Sequence, residues 1–115
     1  MKAIRLAKIG DEMRRTLAEL IRNDMKDPRI PLMTSVTEVQ VSGDLAYAKV
    51  YVSVMAGSEE QKACLQALKK AQGFLRTELG KKMRLRALPE LLFFLDESIE
   101  RGEHLDKLID EALGR

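Results

Sequence analysis

The sequence predicts an α+β fold in which helices cover one face of a three-stranded mixed sheet. Three observations indicate this class. The first 25 residues repeat apolar side chains with a helical period, and residues 36–54 change to a strand period of two. A further helical stretch separates the second strand pattern from the third, and a parallel strand pair needs such a connection. The predicted order is helix, strand, strand, kinked helix, strand, helix.

Length and composition predict one globular domain, residues 1–115, whose residues 99–115 form an acidic C-terminal helical segment. Hydrophobic residues make up 45% of the chain and charged residues 33%. This balance is typical of a folded domain and excludes a collagen-like or wholly disordered chain.

The opening helix is predicted over residues 4–25. Its apolar stripe follows spacings of three and four: Leu6, Ile9, Met13, Leu17, Leu20 and Ile21. Lys8, Arg15 and Arg22 are seven residues apart on the opposite face, and Lys26 follows. The pair Asp27-Pro28 is expected to end the helix, because the residue before a proline is forced out of the helical region.

Two strands joined by a short turn predict a hairpin. Val39 and Val41 alternate with polar residues, and Val36 is out of phase with them, which predicts a bulge or a late strand start. In residues 46–54 the small and β-branched side chains are expected to point inward, and Tyr47 and Tyr51 to point outward. A hairpin of this size is marginal alone, so it must pack on helices.

A kinked helix is predicted after the hairpin. Ser58 is expected to cap it, with Gln61 completing a capping box. A glycine inside a helix costs roughly 0.5–1 kcal/mol relative to alanine. Gly73 therefore predicts either a bend or the close approach of another backbone. Gly80 is the candidate C-cap.

The remaining elements are shorter. Residues 81–86 alternate basic and apolar side chains, so an extended segment would project its charges from one side. Residues 91–95 are all apolar and predict a strand that is buried on both faces. A final amphipathic helix follows, separated by Gly102.

Charge is distributed unevenly along the chain. Residues 61–89 contain eight basic side chains and one acidic side chain, whereas residues 90–115 contain three basic and eight acidic ones. This asymmetry favours one surface that binds a polyanion. The alternative interpretation is a solvated helix surface without a partner.

Signals for an enzyme are weak. Cys64 falls on an apolar stripe, and His104 lies in an acidic stretch, so neither predicts a nucleophilic site. One cysteine cannot form an intrachain disulfide or a multi-cysteine metal site, and it fits the reducing cytoplasm. Acidic residues 96–103 are interpreted as a solvated face rather than a metal site. We therefore expect no catalysis, no cofactor and no bound metal. We also expect no contact with a membrane, because no apolar run approaches the roughly 20 residues of a membrane-spanning helix.

Nucleic-acid binding has stronger support. Basic side chains neutralise phosphates and release counterions whatever the base sequence. Aromatic residues are 4% of the chain, which argues against base stacking as the main mode of binding. Packing on the strand surface is the favoured role of Tyr47 and Tyr51. The candidate binding residues are Lys8, Arg15, Arg22, Lys26, Lys69, Lys70, Arg76, Lys81, Lys82, Arg84 and Arg86.

Several stretches resemble the bacterial ribosome-binding factor A family. They are residues 27–54, residues 79–98 and the long opening helix, together with Ala71-Gln72-Gly73-Phe74-Leu75-Arg76. The resemblance implies a type II KH domain. Ordinary KH domains clamp a nucleic-acid backbone with a Gly-x-x-Gly loop. Here Ala71, Gln72 and Gly73 stand in its place, and the resemblance implies that they form a helix kink.

This resemblance also implies a function. Members of the family are late assembly factors that bind 16S rRNA in free or precursor small ribosomal subunits. They assist its folding and 5′-end processing, including in the cold. We accordingly expect a cytoplasmic protein that is a monomer off the ribosome. The alternatives are a general single-stranded RNA-binding KH-like module without a ribosomal role and, with less support, a small nuclease.

Overall fold

A computed structural model describes residues 2–85 and 87–96 of the chain. Its elements are α1 (Lys2–Asn23), β1 (Thr34–Val41), β2 (Tyr47–Val54), α2 (Ser58–Lys70), α3 (Gln72–Met83) and β3 (Glu90–Leu95). The predicted order is confirmed for these six elements. The predicted C-terminal helix, the acidic segment 99–115, His104 and Arg86 lie outside the described residues.

The strands form one mixed sheet in the order β1-β2-β3. β1 and β2 are antiparallel, and β3 joins β2 in parallel after the helical connection. The register between β1 and β2 shifts between Val36 and Glu38, so the predicted bulge is confirmed. Because of the bulge, Val36 and Val39 both point into the core although they are an odd number of residues apart.

The core lies between one face of this sheet and the three helices. Alternation along β2 buries every second side chain from Ala48 to Val54, as the pattern predicts, whereas Ala46 is exposed just before the strand. Met13, Leu17 and Leu20 of α1 pack over this face, and so do Leu75 and Leu79 of α3. Cys64 is buried in the same core, and its burial raises the pKa of the thiol.

The helix break lies at Ala71, whose backbone (φ −84°, ψ 4°) separates α2 from α3. The predicted bend is therefore confirmed. Within the described residues the alternative that another backbone approaches Gly73 is wrong, because none of their heavy atoms outside its own helix and chain neighbours lies within 4 Å of a Cβ built there. Gly73 is exposed in the first turn of α3.

Three predicted helix ends are wrong. α1 ends at Asn23 rather than residue 25, although the backbone N–H groups of Asp24 and Met25 still bond to the carbonyl of Leu20 at 2.9 and 3.1 Å. At α2 the N-cap is Gly57 rather than Ser58. Glu60, rather than Gln61, accepts from the backbone N–H of the cap at 2.7 Å.

The third error concerns Gly80, which lies inside α3 and does not cap it. A Cβ at Gly80 would collide with Cδ2 of Leu88, so the missing side chain makes room for Leu88 on the helix. α3 continues to Met83 and ends at Arg84, which has a left-handed backbone (φ 54°). Lys81 and Lys82 are therefore helical, and the prediction of an extended segment is wrong for them.

The prediction that β3 is buried on both faces is also wrong. Leu91 and Phe93 are buried on the helical side, while Phe94 is 42% exposed on the other. An unbroken apolar run does not reveal which face is covered. None of the described helices, α1 to α3, combines the length and the apolar character of a membrane-spanning segment.

Gly10 fixes the distance between α1 and the edge strand β1. A Cβ at this position would lie only 2.6 Å from the carbonyl oxygen of Val39. This oxygen belongs to the backbone of the sheet, so it cannot move as a flexible side chain would. Only glycine lets the helix lie this close to the strand.

We predict that Gly10→Ala destabilises the protein by about 1–3 kcal/mol, because the added methyl group forces α1 and β1 apart. Gly73→Ala is the matched control, since it adds the same methyl group to a helix in open space. It should stabilise the protein by up to about 1 kcal/mol. Urea denaturation followed by circular dichroism measures both changes. Equal effects of the two substitutions would contradict the close-approach explanation.

Candidate nucleic-acid interface

The solvent side of α1 presents the first row of predicted cations. Lys8, Arg15 and Arg22 are exposed on the side of the helix away from the buried stripe. They span about 21 Å at a rise of 1.5 Å per residue. Asp11 forms ion pairs with Arg14 and Arg15, and hydrogen bonds from these two guanidinium groups lower the pKa of the Asp11 carboxyl. Part of the charge of this row is therefore compensated within the helix.

The segment after α1 adds a cation that the sequence pattern did not reveal. The Arg29 guanidinium pairs with Asp27 at 2.7 Å, and the Arg29 backbone N–H donates to the same carboxylate at 2.9 Å. Mainly through the side-chain hydrogen bond, Arg29 lowers the pKa of Asp27 to about 2. The sequence signal for this pair was an acidic and a basic residue on either side of Pro28. It was not sufficient, because a loop lacks the regular repeat of a helix or strand that shows where a side chain points.

The loop after α1 is a neighbour of α2, the helix that ends at the break. The hydroxyl of Thr34, at the end of the loop, lies 4.0 Å from the Sγ of Cys64 in α2, so the loop lies against α2. The charge of Lys70 is the smallest contribution to the lowered pKa of Asp27. Lys69 and Lys70 are exposed in the last turn of α2, Lys26 is exposed beside Asp27, and Arg22 lines the groove under the loop. We call these cations the kink patch: Arg22, Lys26, Arg29, Lys69 and Lys70.

The break itself is tied to the third strand. The side-chain oxygen of Gln72 accepts from the backbone N–H of Leu91 at 2.9 Å. The Ala71 N–H donates to Ala67 at 3.0 Å, and the Ala71 carbonyl accepts from Leu75 at 2.9 Å, so the backbone hydrogen bonds pass through the break. Of the three kink residues, Gly73 is the one with an exposed surface.

Arg76 has a structural role that the sequence did not predict. Its Nε donates to the carbonyl of Pro89 at 3.0 Å and its Nη2 to the carbonyl of Leu88 at 2.9 Å. The side chain is half-buried and holds the segment before β3 against α3. A contribution of Arg76 to RNA binding stays a prediction.

A second group of cations lies at the other end of α3, about 15 Å along the helix from the break. Lys81, Lys82 and Arg84 are exposed, and we call them the α3-end patch. Lys81 lies 3.4 Å from a carboxylate oxygen of Glu78, a solvent-exposed pair of the kind worth at most about 1 kcal/mol. Within residues 2–85 and 87–96, neither Lys82 nor Arg84 forms an ion pair.

The structure thus places the predicted cations of the described segment on the helices and their connecting loops. The loop after α1 lies against α2, and the α3-end patch lies at the opposite end of α3 from the helix break. The ion pairs of Asp11, Asp27, Glu59 and Glu78 each join residues that are two to four positions apart. Because such exposed pairs are weak, they compete poorly with a polyanion.

The family model for ribosome-binding factor A matches residues 5–109. The chain belongs to the ribosome-binding factor A family. A family member from Acetivibrio thermocellus is 50% identical over 108 residues, which cover 94% of this chain and 88% of that protein. One from Thiobacillus denitrificans is 46% identical over 109 residues, covering 95% and 87%.

Solved structures of ribosome-binding factor A share the fold. The crystal structure of the Thermus thermophilus protein has a TM-score of 0.70 at 32% identity, covering 78% of this chain and 94% of that one. A homology model of the same factor was fitted into the cryo-EM map of its complex with the 30S subunit. It has a TM-score of 0.63 at 31% identity, covering 76% and 91%. The expected KH-like fold of ribosome-binding factor A is therefore confirmed.

Replacing Arg76 tests its structural role. Arg76→Ala should lower the free energy of unfolding by about 1.5–3 kcal/mol, because two carbonyl groups lose a charged donor. Lys82→Ala, which removes a cation that makes no described hydrogen bond, should leave stability unchanged within about 0.5 kcal/mol. Chemical denaturation of both variants measures the difference, and comparable stabilities would show that the two carbonyl contacts are unimportant.

Proposed function

We propose that this protein binds free or precursor small ribosomal subunits through the cations of its helical side and assists the maturation of 16S rRNA. Membership of the ribosome-binding factor A family carries the proposal. The exposed kink patch and α3-end patch support it, because they present cations in a form that a folded RNA can contact.

The two patches suit a backbone-reading mode of binding. Ammonium and guanidinium groups contact phosphates and release counterions without distinguishing bases. The usual KH clamp needs a free loop between two helices. Here the oxygen of Gln72 is already engaged with Leu91, and the backbone hydrogen bonds continue through Ala71. We therefore expect recognition of the shape and phosphates of folded rRNA rather than of a free single strand.

The finer features of the proposal follow from the family. The protein acts in the cytoplasm, is a monomer off the ribosome, and performs no catalysis. It binds before the subunit enters translation and supports the folding and 5′-end processing of 16S rRNA, most of all in the cold. The homologous Thermus thermophilus factor in its complex with the 30S subunit supports the choice of partner.

Charge reversal on each patch tests the mode of binding. Lys69→Glu/Lys70→Glu and Lys81→Glu/Lys82→Glu/Arg84→Glu should each weaken cosedimentation with free small subunits. Each lost phosphate contact should reduce the slope of log K against log salt by about 1. Lys49→Glu is the matched control, because Lys49 is an exposed lysine on the opposite side of the sheet. It should bind as the wild type does.

Two results would contradict this proposal. Wild-type binding by both patch variants would remove the patches from the mechanism. Tighter binding to short single-stranded oligonucleotides than to small subunits would favour the general KH-like RNA-binding module instead.

Loss of the gene should cause precursor 16S rRNA with an unprocessed 5′ end to accumulate, more strongly at low than at high growth temperature. Primer extension on RNA from deletion and complemented cells measures the precursor fraction. Complementation by Lys49→Glu but not by the two patch variants would link the processing defect to the basic side chains. Normal processing at low temperature in the deletion strain would refute a role in maturation.

A further inference from the structure

The side of the sheet away from the helices is uncovered by any other part of the described chain. It presents both aromatic and charged side chains, and we call it the open face: Glu38, Tyr47, Lys49, Tyr51, Glu90 and Phe94. Tyr47 is 48% exposed and Phe94 is 42% exposed. Large exposed aromatic side chains that share one surface are a common mark of an interaction site.

The aromatic part of the open face is ordered by the strand register. Tyr51 and Phe94 are direct partners in the parallel pair β2–β3. Their rings stack with centroids 5.7 Å apart and an interplanar angle of 30°. Tyr47 lies on the same side of β2, four residues before Tyr51 and so about 13 Å away. The face therefore offers two aromatic positions at a fixed spacing.

Each aromatic position has a carboxylate beside it. Glu38 is the register partner of Tyr51 on β1, and Glu90 is the register partner of Tyr47 on β3. Asp96 follows β3, and its carboxylate accepts a hydrogen bond from the Thr37 hydroxyl at 2.6 Å. Lys49 is the one cation that the described strands place on this face.

The charges of Glu38 and Glu90 are not neutralised by any ion pair within the described ranges. Glu38 accepts from the Gln40 side-chain amide at 3.1 Å, which leaves its charge in place. With the carboxylates of Glu38 and Glu90 against the ammonium group of Lys49, the described part of the open face is acidic, in contrast to the basic helical side.

We propose that the open face docks an extended, arginine-rich segment of a partner protein. A guanidinium group stacks on an aromatic ring and also forms a bidentate pair with a carboxylate. Tyr51 with Glu38, and Tyr47 with Glu90, each offer that combination. Four residues of extended chain span the same 13 Å or so, so arginines at positions i and i+4 match both sites.

Charge selects this class of ligand over nucleic acid. Exposed aromatic side chains on a sheet also suit the stacking of unpaired bases. A polyanion, however, would meet the carboxylates of Glu38 and Glu90 beside the rings, and it has the basic helical side of the same molecule to bind instead. The inference is independent of the proposed ribosomal function, because it rests on the opposite face of the sheet.

The test uses the ¹⁵N-labelled full chain and the peptide (Arg-Ser)5, followed by NMR. Amide shifts should be saturable and concentrated in β1, β2 and β3. Glu38→Gln, Glu90→Gln and Phe94→Ala should each weaken binding about two- to five-fold. The peptide (Lys-Ser)5 should bind more weakly than (Arg-Ser)5, because an ammonium group lacks the planar fork.

Glu19→Gln is the matched control, since it removes one exposed carboxylate from the solvent side of α1. It should leave peptide binding unchanged. If Phe94→Ala unfolds, the two glutamine variants still decide the outcome, because they change exposed charges on an intact backbone. Equal weakening by Glu19→Gln and Glu38→Gln would show attraction by overall charge only and would overturn the proposal.

Other occupants of the face give distinct results, each of which overturns the proposal. Shifts of the same strands by a uridine decamer, with none by (Arg-Ser)5, would assign the face to RNA. A concentration-dependent dimer that Glu38→Gln disrupts would assign it to a second copy. The last alternative occupant is the segment 97–115 of the same chain. In that case Leu108→Glu should change the amide shifts of β2 and β3 before peptide is added and should strengthen peptide binding. The peptide titration contains no ribosome, so it fails or succeeds independently of the cosedimentation test.

Discussion

The attachment of α3 to the start of β3 is the constraint on which the other features depend. Gln72 and Arg76, both in the first turns after the helix break, bind the backbone of Leu91, Pro89 and Leu88. Hydrogen bonds to a charged donor are worth about 1.5–3 kcal/mol each when the partner would otherwise be left without one. The same hydrogen bonds therefore fix both the direction of α3 after the bend at Ala71 and the position of β3.

The bend and the attachment of α3 to β3 together determine two surfaces of the molecule. The loop after α1 lies against α2, where the Thr34 hydroxyl is 4.0 Å from the Sγ of Cys64, and α2 ends at the bend with Lys69 and Lys70 exposed. The attachment also aligns β3 with β2, which puts Phe94 against Tyr51 and Glu90 beside Tyr47. Because the helices occupy one face of the sheet, residues 2–85 and 87–96 form a basic helical side and an acidic sheet side. Such a charge separation orients a protein as it approaches a polyanion.

Local periodicity was sufficient for much of the fold. The stripe of α1, the alternation of β2 and the phase shift at Val36 each report a regular backbone, and the structure confirms them. The errors lie where one signal has two physical causes. Gly80 could end a helix or admit a neighbour, and Leu88, which needs the space, is eight residues away. Likewise, apolar and polar residues do not alternate within residues 91–95 of β3, so the sequence could not show which face of the strand is uncovered.

The cations show the same limit. Arg76 lies in the basic stretch of the sequence and was therefore predicted to contact phosphates. Its hydrogen bonds instead go to carbonyls twelve and thirteen residues later, and the pattern within a helix cannot predict such distant partners. Arg29 was missed because its loop has no period. Sequence reasoning therefore located the charged surface but could not separate side chains that face solvent from one that joins two elements.

Aromatic content was a poor guide to aromatic placement. Five aromatic residues in the whole chain argue against extensive stacking, but three of them, Tyr47, Tyr51 and Phe94, share one face of the sheet. Strand alternation and a parallel register concentrate them, and neither depends on how many there are. What such a surface can bind is then decided by the charges beside the rings. Glu38 and Glu90 flank two of them, so the same rings that would suit bases in a basic setting here suit a cation.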